Sequence, residues 1–198
     1  MARARTADMV ALDSDPDAIE PGERAPPFEL PGTDGETFAL ADFDDHGALL
    51  VVFTCNHCPY ARAAYDAMNA IADDYGSVAV VGINPNDAEE YPEDSYEKMV
   101  EAVDSGRIDI TSYLRDESQD VAEAYGAVCT PDPFLFANED GSFRLAYHGR
   151  FDDATNPDED PSGEPGFEMR AAIDVVLDGR TPEPQVRPAR GCSIKWRE

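Results

Sequence analysis

The chain has 198 residues, which is enough for one compact domain with a sizeable core and short for two. Its 42 Asp and Glu residues outnumber its 15 Lys and Arg residues, so the formal net charge is -27. Such a surface repels the phosphates of nucleic acids and anionic lipids, so neither a nucleic acid nor a membrane is an expected partner. The acids are spread along the chain, which predicts a solvated acidic coat suited to a salt-rich cytoplasm.

The first 21 residues are polar, acidic and aperiodic, and we expect them to form a flexible leader. They contain no apolar core of signal-peptide length, and no run of about 18 apolar residues occurs anywhere in the sequence. We therefore expect a cytoplasmic protein. In a reducing compartment, its four cysteines are expected to be catalytic, metal-binding or inert rather than structural.

From Gly22 onward the sequence alternates between strand and helix patterns. Asp34-Gly35 between apolar pairs predicts a β-hairpin, and the apolar runs at 48–54 and 78–83 predict two buried strands. Further patterns predict helices at 60–75, 95–105, 118–125 and 167–177, and strands at 134–137 and 143–148. This order predicts one α/β domain over 22–179, with helices on both faces of its sheet, followed by an extended tail at 180–198.

The most informative motif is Cys55-Asn56-His57-Cys58, between the first buried strand and the first predicted helix. Two cysteines at this spacing and in this position indicate a redox-active dithiol. Unpaired backbone N–H groups, the helix dipole and a His57 imidazolium would all stabilise a thiolate there. We expect Cys55 to be an exposed nucleophile with a lowered pKa, and Cys58 to resolve the mixed disulfide that Cys55 forms.

Other interpretations of this motif stay open. The two cysteines can be a zinc half-site or simply buried thiols, and with His57 they offer soft ligands for Cu(I). Zinc would need a second ligand pair, and no paired spacing is found among the remaining candidates, Cys129, Cys192, His46 and His148. His57 can also be a solvent-facing residue without an electronic role.

Three features together resemble the thioredoxin fold of the AhpC/TSA, or peroxiredoxin-like, superfamily. They are the segment Gly-Glu-Arg-Ala-Pro-Pro-Phe-Glu-Leu with the hairpin after it, the cysteine pair, and Thr130-Pro131 ahead of a strand. The motif Cys-Asn-His-Cys-Pro-Tyr and the tail Gly-Cys-Ser-Ile-Lys-Trp resemble an uncharacterised peroxiredoxin-like subgroup more closely. The resemblance implies a thioredoxin-like fold with a central mixed sheet, flanking helices and an N-terminal β-hairpin.

The same resemblance extends the predicted site. Pro131 corresponds to a cis-proline that faces the cysteines, and with Thr130 it leaves a backbone edge on which a substrate can pair. Cys129 and Cys192 are candidate resolving cysteines, each with an inert or structural alternative. Trp196 predicts that the tail packs back on the domain and brings Cys192 toward the site.

By resemblance, the chain is a thiol–disulfide oxidoreductase in cell redox homeostasis, with a redox-active disulfide and no other cofactor. Its partners would be a disulfide-containing or peroxide substrate and a cellular thiol reductant. The alternative is a thiol-dependent antioxidant peroxidase.

Peroxiredoxins, however, place Pro and Thr ahead of a peroxidatic cysteine that aligns with Cys58, and this sequence has Val51 and Cys55 there. Leu49 stands in place of thioredoxin's buried acid, and Thr54 in place of its Trp.

Overall fold

A computed structural model describes residues 10–15, 18–183 and 187–197. Parts of the predicted leader (1–9 and 16–17) and of the predicted tail (184–186 and 198) lie outside the described residues. The strands are β1 (Ala11–Asp13), β2 (Glu29–Pro31), β3 (Thr37–Ala39), β4 (Ala48–Phe53), β5 (Val78–Asn84), β6 (Ser112–Arg115), β7 (Cys129–Thr130), β8 (Asp132–Glu139), β9 (Ser142–His148) and β10 (Arg190–Ser193). The α-helices are α1 (Pro59–Ala63), α2 (Tyr65–Asp74), α3 (Tyr96–Asp104), α4 (Asp120–Tyr125) and α5 (Phe167–Leu177). Short 3₁₀ helices form at Leu40–Phe43 and Pro92–Asp94.

The central sheet has five strands in the order β6-β5-β4-β8-β9. Strands β4, β5 and β6 are parallel, whereas β8 pairs antiparallel with both β4 and β9. All six residues of β4 are buried, which explains why its sequence is continuously apolar instead of alternating. The predicted mixed α/β sheet is confirmed.

Helices cover both faces of this sheet, as the sequence predicts. Met68 of α2, Met99 of α3 and Ile173 of α5 pack in one core cluster against alternate residues of β4. Tyr125 of α4 and Phe28 beside the hairpin pack in the other cluster, on the opposite face. Because successive strand residues point to opposite faces, β4 contributes side chains to both cores and lies at the centre of the domain.

Two parts of the central domain differ from the sequence prediction. The helix predicted at 60–75 is divided at Ala64, which ends α1 and begins α2 with a ψ of -10°. The hydroxyl of Tyr65, the first residue of α2, donates a hydrogen bond to the Cys55 carbonyl at 2.6 Å.

Strand β6 was not predicted, because two of its four residues, Ser112 and Arg115, are polar but buried. The guanidinium of Arg115 is satisfied there by backbone carbonyls.

The two ends of the chain meet in a second sheet of three strands, in the order β1-β10-β7. Residues 11–13 were expected to belong to a flexible leader, but they form β1 and pair antiparallel with β10. A strand of three residues is too short to leave a clear alternating pattern in the sequence. Near the C-terminus, Ile194 is buried in the core while Trp196 is 40% exposed, so the side chain that anchors this segment is not the one expected from the sequence.

Among the described helices, none combines the length and the apolar character that a membrane crossing requires.

Candidate active site

Three cysteines, Cys55, Cys58 and Cys192, pack together beside the start of α1. Strand β10 brings Cys192 there because it pairs antiparallel with β7, with Cys192 opposite Thr130. Cys58 and Cys192 form a disulfide, and Cys55 is a free thiol. The Sγ atom of Cys55 lies 3.2 Å from the Thr130 hydroxyl, and that of Cys58 lies 3.5 Å from the Thr130 carbonyl oxygen. The Thr130–Pro131 peptide bond is cis, as predicted.

Cys55 differs from its predicted state in position, exposure and pKa. Helix α1 begins at Pro59 and its N-cap is Cys58, so Cys55 lies before the first turn rather than in it. Its side chain is completely buried. Burial, followed by the negative charge of Asp94, raises the pKa of the Cys55 thiol to about 12, because both effects disfavour the thiolate more than its hydrogen bonds favour it. The prediction of an exposed sulfur with a lowered pKa is therefore wrong.

His57 is paired with a carboxylate and is only partly exposed to solvent. Its Nδ1 atom lies 2.5 Å from Oδ2 of Asp94, and its ring stacks on Tyr91 with the ring centres 5.0 Å apart. The Nε2 atom is buried and has no hydrogen-bond partner among the described residues. The imidazole is thus paired with the Asp94 carboxylate, whereas the sequence predicts a lone positive charge beside the cysteines.

Asp94 is a site residue that no sequence pattern indicated. It is completely buried and accepts hydrogen bonds from the backbone N–H of Asn56 at 2.6 Å, from that of His57 at 3.2 Å and from the Asn86 amide at 2.8 Å. Burial alone raises its pKa, but the hydrogen bonds from His57, Asn86 and Asn56 outweigh burial and lower it. In the sequence Asp94 is one of many acids in an acidic stretch, so residue type gave no signal.

Cys129 does not join the other sulfurs. It precedes Thr130 in β7 and therefore points to the opposite face of that strand. Its thiol donates to the Pro131 carbonyl at 3.6 Å, and burial, followed by the charge of Asp132, raises its pKa. This environment is that of an unreactive buried thiol.

The segment around Cys192 is fixed to the domain on both sides. The Lys195 backbone donates to the Asn86 side chain at 2.9 Å, and its carbonyl accepts from Asp87 at 2.8 Å and from Gln119 at 2.9 Å. A Cβ atom on Gly191 would overlap the backbone of Thr130, so only glycine allows β10 to approach β7 this closely. Strand β10 therefore occupies the backbone edge that the resemblance assigns to a substrate.

Comparison with known proteins agrees with this architecture. The model of the AhpC/TSA family matches residues 21–145. The crystal structure of a hypothetical protein from Sinorhizobium meliloti 1021 is 43% identical, covers 93% of this chain and 98% of its own, and superposes with a TM-score of 0.84. An uncharacterized conserved protein from Geobacillus kaustophilus is 38% identical over 96% of this chain and 97% of its own, with a TM-score of 0.86.

More distant structures share the fold alone. A peroxidoxin from Mycobacterium tuberculosis is 15% identical, covers 81% of this chain and 97% of its own, and has a TM-score of 0.58. A putative thiol:disulfide interchange protein from Chlorobium tepidum is 18% identical, covers 81% and 99%, and has a TM-score of 0.60. A search of curated protein sequences finds no match. The family match and the two full-length relatives show that the chain belongs to the AhpC/TSA family and has a thioredoxin-like fold.

Proposed function

We propose that this protein is a thiol–disulfide oxidoreductase whose working disulfide is Cys58–Cys192. The observation that supports this most directly is the packing of that disulfide against the free Cys55 thiol, with both next to Thr130. A disulfide and a thiol in one cluster meet a requirement of exchange, since a thiolate must reach a disulfide sulfur for the bond to move. Membership of the AhpC/TSA family agrees with redox chemistry of this general type.

The proposed reaction begins with the reduced protein. The Cys58 thiolate attacks one sulfur of a substrate disulfide, forms a mixed disulfide and releases one substrate thiolate. The Cys192 thiolate then attacks Cys58, releases the second substrate thiolate and forms Cys58–Cys192. The substrate gains two electrons, and the protons of the two cysteines pass to the released thiolates. A thiol reductant regenerates the dithiol by the reverse exchange.

These roles differ from those expected from the sequence. Cys58 is the better first nucleophile because it is the N-cap of α1, where backbone N–H groups of the first turn lack helical partners. Both cysteines are completely buried in this structure, and the raised pKa of Cys55 suits it better to a second exchange. Its attack on Cys58 would form Cys55–Cys58 and release the Cys192 thiolate.

Insulin reduction with a thiol reductant tests this proposal. We expect Cys58→Ser to lower the rate to that of the reductant alone, and Cys129→Ser, the matched control, to leave the rate unchanged. Mass mapping of the oxidised wild type should find Cys58 joined to Cys192. Turnover at the wild-type rate in Cys58→Ser would overturn the proposal.

A thiol-dependent peroxidase is a second candidate, because Cys58 aligns with a peroxidatic cysteine and is bonded to a cysteine distant in sequence. In that reaction, the Cys58 thiolate, a peroxide and a proton would give a sulfenic acid and an alcohol, or water. Condensation with the Cys192 thiol would then give the disulfide and water. Rapid disulfide formation with hydrogen peroxide, without insulin reduction, would favour this activity over disulfide exchange.

A further inference from the structure

We propose that Cys55, His57 and Asp94 form a binding site for a divalent transition-metal ion of the Zn²⁺ type. One ligand atom from each residue, the thiol sulfur, an imidazole nitrogen and a carboxylate oxygen, lies within 4.8 Å of the other two. Sulfur, nitrogen and oxygen ligands of these three kinds are those that Zn²⁺ takes in proteins. Metal binding at this site does not depend on disulfide exchange, so either proposal can fail without the other.

The three ligands are held in place by other residues. Asp94 is oriented by hydrogen bonds from the Asn56 backbone and the Asn86 amide. The His57 ring is fixed by stacking on Tyr91. Such outer contacts orient metal ligands and reduce the ordering that binding requires. The His57 Nε2 atom, buried without a hydrogen-bond partner among the described residues, shows that the imidazole is incompletely satisfied by the protein alone.

The charges in the site are also suited to a dication. The site contains one carboxylate and one thiol that can be ionised. A divalent cation would offset the charges of one thiolate and one carboxylate. Binding would release the Cys55 proton to solvent. The net charge of -27 would raise the local concentration of cations around the whole protein.

The ligand set selects among metals. Mg²⁺ and Ca²⁺ prefer oxygen ligands, and Cu(I) prefers soft sulfur ligands without a carboxylate. Of the cysteines considered for Cu(I), Cys58 is engaged in the disulfide with Cys192. Zinc was not expected from the sequence because no second pair of cysteines or histidines has the required spacing, but the fold supplies Asp94 from a distant segment. Three protein ligands would leave one coordination position open on a tetrahedral ion.

Titration with Co²⁺, a spectroscopic substitute for Zn²⁺, tests the proposal on protein that keeps the Cys58–Cys192 disulfide, in the absence of thiol reductants. We expect one Co²⁺ per chain with a thiolate-to-cobalt charge-transfer band, displaced by Zn²⁺ but not by Mg²⁺. Cys55→Ser should remove the band and Cys129→Ser should retain it. His57→Gln should weaken Co²⁺ binding at least about tenfold, a typical loss when a metal site is disturbed.

Circular dichroism of each variant verifies that it is folded. Absence of the band in folded wild-type protein would overturn the proposal, as would a band that survives Cys55→Ser. Binding of Co²⁺ to the acidic surface without a thiolate band would also count against the site. Because no turnover is measured, these results do not depend on whether insulin is reduced.

Discussion

The protein contains two groups in which a buried thiol lies near a buried carboxylate that is paired with an imidazole. The first group is Cys55, Asp94 and His57, and the second group is Cys129, Asp132 and His148. Both carboxylates are completely buried, and the histidine contacts are 2.5 Å in the first group and 2.7 Å in the second. The same three residue types nevertheless give two different chemical environments.

The carboxylates differ because their numbers of hydrogen-bond donors differ. Asp94 accepts from two backbone N–H groups, an amide and His57, and its pKa is lowered. Asp132 accepts from His148 and from the Val128 N–H at 3.4 Å, and burial dominates, so its pKa is raised. Equal lack of solvent exposure therefore does not determine the direction of the pKa shift, because the hydrogen-bond donors oppose burial to different extents.

The thiols differ in what they face. Cys55 packs in one cluster with Cys58 and Cys192, whereas Cys129 points to the other face of β7 and donates to a carbonyl. Both are buried and both have raised pKa values, so neither exposure nor pKa separates a candidate exchange thiol from an inert one. The two thiols are distinguished by their position relative to the Cys58–Cys192 disulfide.

Replacing each thiol should give the largest difference between the two groups, which is a difference in the disulfides that form. After limited reduction, the wild type should contain a fraction of molecules with Cys55–Cys58, and Cys55→Ser should contain none, because the attacking sulfur is gone. Mass mapping of alkylated peptides measures these species. The matched control Cys129→Ser should keep the wild-type distribution. A disulfide between Cys129 and Cys192 in the wild type would contradict the distinction drawn between the two thiols.

Replacing each carboxylate should give the next largest effect, on stability. Asp94→Asn should lower the free energy of unfolding by about 3–5 kcal/mol, because it removes the charge from a buried, paired group and leaves donors unmatched. Asp132→Asn should cost about 1–2 kcal/mol, because its carboxyl has fewer donors and is more easily neutral. Urea unfolding with a chelator present measures both. Equal losses in the two variants would show that donor number does not distinguish the carboxylates.

Much of this architecture was predictable from the sequence, because it depends on local patterns. Continuous apolar residues identified β4 and β5, and Ser95 caps α3 with its side chain as expected. The resemblance implied that Thr130-Pro131 faces the cysteine motif, and Cys55 and Cys58 both lie beside Thr130.

The charge states in the site were not predictable, because they depend on contacts between segments far apart in sequence. Asp94 is 38 residues from Asn56, and Cys192 is 134 residues from Cys58. A sequence motif suggested that the sulfur of Cys55 is exposed at a helix start, but the tail covers it and Asp94 opposes its ionisation. Pairing of the tail with β7 decides the environment of the first group.

That pairing can be disturbed at Gly191, which belongs to neither group. Gly191→Ala should lower the free energy of unfolding by about 1–3 kcal/mol, because the new methyl group overlaps the Thr130 backbone. In the reduced protein, alkylation should become faster at Cys55 and stay slow at Cys129. Gly76→Ala is the matched control, since a Cβ there meets no atom within 4 Å. It should be neutral or stabilising by about 0.4–1 kcal/mol. Equal acceleration at both thiols would mean that β10 does not shield the first group selectively.

The smallest expected effect is the pH dependence of the second group. With its pKa raised by burial, the Asp132 carboxyl holds its proton to a higher pH in the folded protein than in the unfolded chain. Unfolding therefore releases a proton, and the free energy of unfolding falls as pH rises above the ordinary Asp pKa of about 3.9. Relative to Asp132→Asn, which does not titrate, the wild type should lose stability across this window, by about 1.4 kcal/mol for each unit by which the two pKa values differ.

Urea unfolding of both proteins from pH 4 upward, in steps of about half a unit, measures this difference. His148→Gln tests the cause, because the hydrogen bond and the charge of His148 lower the Asp132 pKa against the effect of burial. Without them the pKa should rise further, so the loss of stability should extend to higher pH. A wild type that gains stability relative to Asp132→Asn over the same range would mean that Asp132, like Asp94, is held as a carboxylate by its donors. The two groups would then differ only in where their thiols point.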